Sequence, residues 1–397
     1  MLRPQSAPVW HALLGGRETL LFAVLFLLVA IPQTILLTVV PLQAHALLGD
    51  AGLVSVLYFA IGAFGLAARL SIPLLTHLLR RRWVFTLGAI GLVVGAALYA
   101  SRSVPALVLG LGCTVFAYAC LEITLNLYVL DHISRRQLGR FEPIRIFVAA
   151  GPWTIGPWLG VYLQERIAWW LPFAVAAAAA VMLAAAFWLL RLAERSPPNA
   201  RRTAPNPLRY LPRFFAQPRL RLAWALAAGR SGWWGMFFIY APILAVTSGL
   251  GEEAGGAIVS IGTGWIWLVP IWGLVAQRFG SRRLMMAGFL ASGLLSLAAA
   301  AAVGGQGWIA PLLLLVAGLG TGTLDGVGNL LFLRAVHPYE RAEMTTVFVS
   351  YRDVAQLAPP GLFSLLLLFL PLASVFAASG LAMLALGALT RHIPRRF

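Results

Sequence analysis

The feature that most constrains this chain is the length of its apolar runs. Residues 173–190 contain no charged or strongly polar side chain, and residues 284–303 carry only Ser292 and Ser296. A helix crossing the hydrocarbon core of a bilayer takes about 20 apolar residues. A membrane β-barrel would instead show segments of about ten residues with alternating polarity. The runs here are continuous, so an all-α membrane protein is expected. The composition agrees: 60% of residues are hydrophobic and 11% are charged, against roughly 25% charged in an ordinary soluble domain. That excludes a soluble globular protein, and it excludes a disordered one, which needs few apolar residues.

At roughly 30 residues per helix and loop, 397 residues hold about a dozen spans. The pattern predicts twelve, over 19–41, 52–78, 83–101, 105–131, 141–163, 168–190, 221–247, 254–277, 284–303, 308–334, 344–369 and 372–390. The loops alternate in charge. One set carries Arg80, Arg81 and Arg82, then Arg135, Arg136 and Arg140, then Arg278, Arg282 and Arg283, then Arg334 and Arg341. The other carries Arg102 and Arg166 with acidic Asp50, Glu252 and Glu253. Basic loops stay in the cytoplasm, so the Arg-rich set and both termini are expected there. The net charge of +17 is therefore read as loop topology, and no nucleic acid is expected as a partner. All the basic residues are Arg and none is Lys. This fits GC-rich coding and a bacterial inner (cytoplasmic) membrane. Cys113 and Cys120, roughly 10 Å apart along one helix, cannot bridge and are expected as buried thiols. No cleavable signal peptide stands out, because polar Gln43 and His45 follow the first apolar run.

The most polar stretch, 191–220, divides the spans six and six. The expected organisation is a first bundle over 1–190, a cytoplasmic linker over 191–220 and a second bundle over 221–397. The segment 208–215 within the linker is expected to lie along the membrane surface. The halves repeat. Residues 273–283, G-L-V-A-Q-R-F-G-S-R-R, match 73–83, P-L-L-T-H-L-L-R-R-R-W. L-E-I-T-L-N-L over 121–127 matches L-D-G-V-G-N-L over 324–330, so two of the chain's four Asn, Asn126 and Asn329, are equivalent. Arg140 and Glu142 match Arg341 and Glu343, and Phe147 matches Phe348. Parallel repeats with a site at the midplane between them are a secondary-transporter architecture.

The loop over 273–283 resembles the G-x-L-A-D-R-x-G-R-R signature of the major facilitator superfamily, and the resemblance extends over the whole chain. It implies a fold of twelve helices in two pseudo-symmetric six-helix bundles that rock about a central site. It also implies gating roles for Gly273, Gln277, Gly280 and Arg282, and for His77 and Arg81 in the first copy. Gln277 and His77 stand where the family has Asp, which weakens the latch that Asp supplies. Residues 151–160, G-P-W-T-I-G-P-W-L-G, resemble the glycine–proline antiporter motif of the family's exporters; they read equally as a tight packing surface. Spans 3, 6, 9 and 12 carry no charge, as the resemblance implies for outer helices.

Charge inside hydrocarbon is costly and marks function. Six charged residues lie deep in the spans. Glu122, Asp325 and Arg230 are each nine residues from a cytoplasmic-end charge, roughly 13 Å in. Arg69, Arg352 and Asp353 are comparably deep. Glu122, Asp325 and Asp353 are the candidate proton-coupling groups. Both Glu122 and Asp325 sit one turn before an Asn, which places carboxylate and amide on one face. Gln33, Arg69, Asn126, Arg230, Trp233, Trp234, Asn329 and Arg352 are the candidate substrate-cavity residues. Trp265 and Trp267 are further candidates for stacking an aromatic substrate, and Arg145 is expected at the cytoplasmic mouth. No HExxH, P-loop or CxxC motif occurs, so neither an enzyme nor a cofactor or metal is expected. The expected function is proton-coupled secondary transport of a small organic molecule, with export preferred, by a monomer in the lipid bilayer. The alternatives are a proton symporter importing a sugar, nucleoside or organic acid, and a transporter-like sensor or scaffold.

Overall fold

In the computed structural model, residues 17–133, 135–190, 210–337 and 340–393 are described. Among them there are helices and connections but no strand. The first half contains α1 (Arg17–Leu48), α2 (Ala51–Leu78), α3 (Arg81–Ala100), α4 (Val104–His132), α5 (Arg135–Tyr162) and α6 (Leu171–Leu189). A short α7 (Leu211–Ala216) precedes α8 (Pro218–Thr247). Then follow α9 (Glu252–Gly264), α10 (Val269–Phe279), α11 (Ser281–Ala302), α12 (Ile309–Val327), α13 (Leu330–Ala335), α14 (Arg341–Val349), α15 (Tyr351–Leu366) and α16 (Ala373–Leu389).

Ten helical segments among the described residues are long and apolar enough to cross a membrane. They match ten of the predicted spans, with α9 and α10 forming one segment and α12 and α13 another. The other two predicted spans differ for physical reasons. Helix α8 has the length, at 30 residues, but Arg219, Arg221 and Arg230 and its Gly/Trp-rich middle dilute its hydropathy. The span over 344–369 is divided at Ser350 into α14 and α15. The backbone is irregular in two more places, a tightened turn over Trp265–Leu268 and the step at Gly328 and Asn329. All three interruptions fall inside predicted spans, the one at Trp265–Leu268 near mid-span and the other two nearer the Arg-rich end. Irregular backbone is tolerated there only where it is buried in protein or lines a cavity.

Local chemistry accounts for the ends. Asp50 caps α2 by accepting the amide of Leu53 at 2.9 Å. Gly280 has φ +89°, so the chain turns from α10 into α11 at a position that disfavours any side chain. The uncharged helices pair on the flanks. On one side Phe85 of α3 stacks on Phe187 of α6 at 3.9 Å, and Trp188 donates to the Thr86 hydroxyl. On the other, α11 packs on α16. Cys120 is buried, whereas Cys113, two turns away on nearly the same face of α4, is half-buried.

Residues 191–209, most of the expected linker, lie outside the described residues. The end of that segment is described, and it packs on protein. Phe214 is buried in the main apolar core. Arg213 and Gln217 both donate to the buried carboxylate of Glu340 at the entry to α14.

Candidate functional site

The six deep charges form two sets. In the first, Arg69 of α2 lies 3.5 Å from Glu122 of α4 and 3.5 Å from Asp353 of α15. Arg352 of α15 reaches Glu122 at 3.7 Å. Two positive and two negative groups from both halves of the chain thus share one neutral cluster. Its bonds are long and its members accessible, with the Glu122 side chain 42% exposed and Arg352 50%. The second set is tighter. Arg230 of α8, 8% exposed, pairs with Asp325 of α12 at 2.9 Å. Asp325 also accepts the indole N–H of Trp234 at 3.1 Å. A Cβ on Gly328 would lie 3.0 Å from the Arg230 guanidinium, so the glycine at the step between α12 and α13 makes room for that ion pair. The same step interrupts the helix between Asp325 and Asn329, whereas Glu122 and Asn126 share the uninterrupted α4. Gly328 and Asn329 nevertheless keep right-handed helical dihedrals across that step. Asn126 and Asn329 are both exposed, as cavity-lining amides would be.

The glycine–proline run in α5 builds a seam between the halves. Pro157 has no N–H, so the carbonyl of Trp153, one turn back, loses its helical donor. The Thr263 hydroxyl of α9 donates to that carbonyl at 2.5 Å. One residue on, the Trp158 amide donates to the Ser260 hydroxyl at 2.7 Å. Gly256 completes the contact, since a Cβ there would press on Val161 and the Pro157 carbonyl. On its other face α5 packs on α1. A Cβ on Gly160 would strike the Ile35 carbonyl, and one on Gly156 would strike Thr34. This run is a two-sided packing surface.

Further contacts join the halves between the midplane and the Arg-poor end. Tyr240 meets Ser55 hydroxyl to hydroxyl at 2.6 Å. Gln164 donates to Glu252 and Arg166 pairs with Glu253. Phe59 packs against Gly361. The Arg-poor end is therefore closed by a continuous seam of α5 on α9 and α2 on α15. Removing both seam hydroxyls with Thr263→Val and Ser260→Ala should loosen it. At about 1 kcal/mol per neutral hydrogen bond, the two together are worth about 2 kcal/mol, so the open fraction should rise roughly thirtyfold. The alkylation rate of a cysteine at Val161, in a chain lacking Cys113 and Cys120, reads that fraction. An unchanged rate would show that packing alone holds the seam.

Several expected cavity residues are placed differently. Trp233 is buried, stacks on Phe237 and donates to Ser296 of α11; it is core rather than cavity, because its position on α8 faces the second half's own interior. Trp265 likewise donates inward to the Leu315 carbonyl. Trp234 stacks on Phe238, which neighbours Trp153, and Trp267 meets Phe147 edge-on and donates to Thr154. Each of these two groups joins rings from both halves. Gln33 is half-buried on α1. The Arg145 guanidinium lies over the Phe26 ring at 4.9 Å, within the first half.

Of the loop residues, Arg81 pairs with Asp131 at 2.7 Å, tying α3 to the end of α4. Gln277 is exposed and Arg282 half-buried, and a Cβ on Gly273 would meet nothing within 4 Å. The side chain of His77 lies outside the described ones. Sequence reasoning missed Tyr351, whose buried hydroxyl accepts from both Arg230 and Arg352. It also missed the Trp153–Thr263 bond. The available signals were a tyrosine beside two mid-span charges, and a mid-span proline that must leave one carbonyl open.

Comparison with known proteins agrees with this architecture. Among solved structures, the peptide transporter POT superposes with a TM-score of 0.75 at 15% identity, over 96% of this chain and 94% of that one. The nucleoside transporter NupG superposes at 0.73 and 15% identity, over 95% and 100%. A POT family transporter solved with 5-aminolevulinic acid superposes at 0.75 and 12% identity, over 94% and 95%. A search of curated proteins returned no match. At these identities the superpositions establish the fold, that of a multi-pass membrane transporter. The family model for the Major Facilitator Superfamily matches residues 22–360, and with that span covered the chain belongs to this superfamily of transporters.

Proposed function

We propose that this chain is a proton-coupled secondary transporter of a small organic molecule, working by alternating access between two six-helix bundles, 1–190 and 221–397, joined by the linker 191–220. The single observation that carries the reading is the neutral cluster of Arg69, Glu122, Arg352 and Asp353. It draws charges from both halves to mid-depth, where an unused charge would be costly. Glu122 is its more exposed carboxylate, 42% against 21% for Asp353, and the candidate proton carrier, with Asp325 and Asp353 as the alternatives. The aromatic groups of Trp234, Phe238 and Trp153 and of Trp267 and Phe147 support an apolar or aromatic substrate. Export is the preferred direction, on those rings and on the resemblance of residues 151–160 to the exporter motif.

The Arg-rich loops support a cytoplasmic location for that end and for both termini, in a bacterial inner membrane, which makes the closed seam external and this conformation inward-facing. Reporter fusions at 200 and 397 should both report cytoplasm; an external signal from either overturns the topology. A metabolite and drug screen of cells with and without the protein identifies the substrate. Vesicles of both orientations under an imposed proton gradient then test the mechanism. Gradient-driven accumulation in everted vesicles supports export; accumulation only in right-side-out vesicles replaces export with symport. Transport indifferent to the gradient in both removes proton coupling.

A further inference from the structure

The two charge sets meet at one atom. The hydroxyl oxygen of Tyr351 accepts from Arg230 Nη2 at 3.5 Å and from Arg352 Nε at 3.4 Å. Arg230 belongs to the set with Asp325 and Trp234, and Arg352 to the set with Glu122, Arg69 and Asp353. The first guanidinium comes from α8 and the second from α15, which also contacts α2 of the other half. Both contacts are longer than the usual N–H···O distance of about 2.7–3.2 Å, so a shift of a few tenths of an ångström makes or breaks them. The ring itself is fixed. Tyr351 is buried, its ring lies 5.1 Å from that of Phe348, and Phe348 stacks at 4.0 Å on Phe332 of α13. The hydroxyl therefore stays put while the two arginines respond to their carboxylates.

We propose that Tyr351 is a positioning residue that couples the two sets. Movement of Arg230 toward or away from Asp325 changes its hold on the hydroxyl, and so the geometry in which Arg352 meets Glu122. This rests on the reading of the deep charges as the proton-coupling machinery. The charged groups that surround the hydroxyl on the packed elements are Arg230 of α8, Asp325 of α12, Arg69 of α2, Glu122 of α4, and Arg352 and Asp353 of α15. An acceptor shared by one donor from each set is a physical link of the kind that coupling requires.

The test is a mutational cycle read on conformation, which needs no substrate. Spin labels at Leu53→Cys and Leu250→Cys, in full-length protein lacking Cys113 and Cys120 and held in lipid nanodiscs, report opening of the Arg-poor end as a function of pH. Trp234→Phe takes one donor from Asp325 and leaves both charge sets intact. It is expected to move the pH midpoint of opening by several-fold in proton activity. In the Tyr351→Phe background, which keeps the ring, the same substitution is expected to move it by less than twofold. Arg352→Lys, which keeps the charge but removes the Nε donor, should suppress the effect in the same way, and it provides the test should Tyr351→Phe fold poorly. An equal effect of Trp234→Phe in all backgrounds, or no effect in any, overturns the link and leaves the transporter reading intact. Opening that is independent of pH in the parent overturns the coupling reading, and this proposal with it.

Discussion

Glu122→Gln should abolish proton-driven accumulation of the substrate, a loss of at least about tenfold, while exchange of substrate across vesicles without a gradient continues. The expectation follows from how the carboxylates are held. Asp325 is tied by a guanidinium at 2.9 Å and an indole at 3.1 Å. Glu122 has two cations at 3.5 and 3.7 Å, neither in close hydrogen-bonding contact, and its side chain is 42% exposed. A carboxylate that cycles its proton must be reachable and must release its partners at small cost. Glu122 meets both conditions better than Asp325, and Arg69 retains Asp353 as a partner when Glu122 is neutral. Exchange requires no net proton movement, so Gln, which preserves shape, leaves it running. Full gradient-driven accumulation by the Gln variant would transfer the role to Asp353, and then to a coupling ion other than the proton.

The sequence carried the parts of this site that depend on cost. Six charges in hydrocarbon must be partnered, and depth counting placed all six near the midplane; the ion pairs found in the structure use every one of them. The absence of charge in spans 3, 6, 9 and 12 likewise matched helices that pair on the flanks, as Phe85 does with Phe187. What depended on the direction of a side chain was not legible. Trp233 and Trp234 are adjacent, equally deep and chemically identical, yet one is core and the other faces Asp325. Adjacent positions on a helix point about 100° apart, and only the packing of α8 decides which of them faces inward. The interruptions of the backbone at Ser350 and at Gly328 were hidden as well, because tertiary contacts stabilise them. The role of Pro157 lay between these cases. The missing N–H was predictable from the residue alone, but its acceptor's partner, Thr263, lies 110 positions away.

Arg230 and Asp325 should behave as a pair whose members cannot be removed one at a time. Asp325→Leu leaves the Arg230 guanidinium, 8% exposed, with the Leu324 carbonyl and the Tyr351 hydroxyl at 3.4 and 3.5 Å and no counter-charge. Breaking a buried ion pair by deleting one partner typically costs about 3–5 kcal/mol, a large part of the stability of most folded domains. The single variant should therefore give little folded protein, or protein that loses its monodisperse state at a much lower temperature in detergent. Arg230→Met should be milder, because Asp325 is more exposed and keeps the Trp234 donor. Combining the two, Arg230→Met with Asp325→Leu, replaces the pair by apolar groups of similar volume, which is often close to neutral. Thermal stability measured by size exclusion after heating should then return most of the way to that of the parent. Asp325→Leu as stable as the parent would mean that water or another group reaches Arg230. A double variant no better than the single would mean that the pair also fixes the step at Gly328, where the glycine makes room for the Arg230 guanidinium.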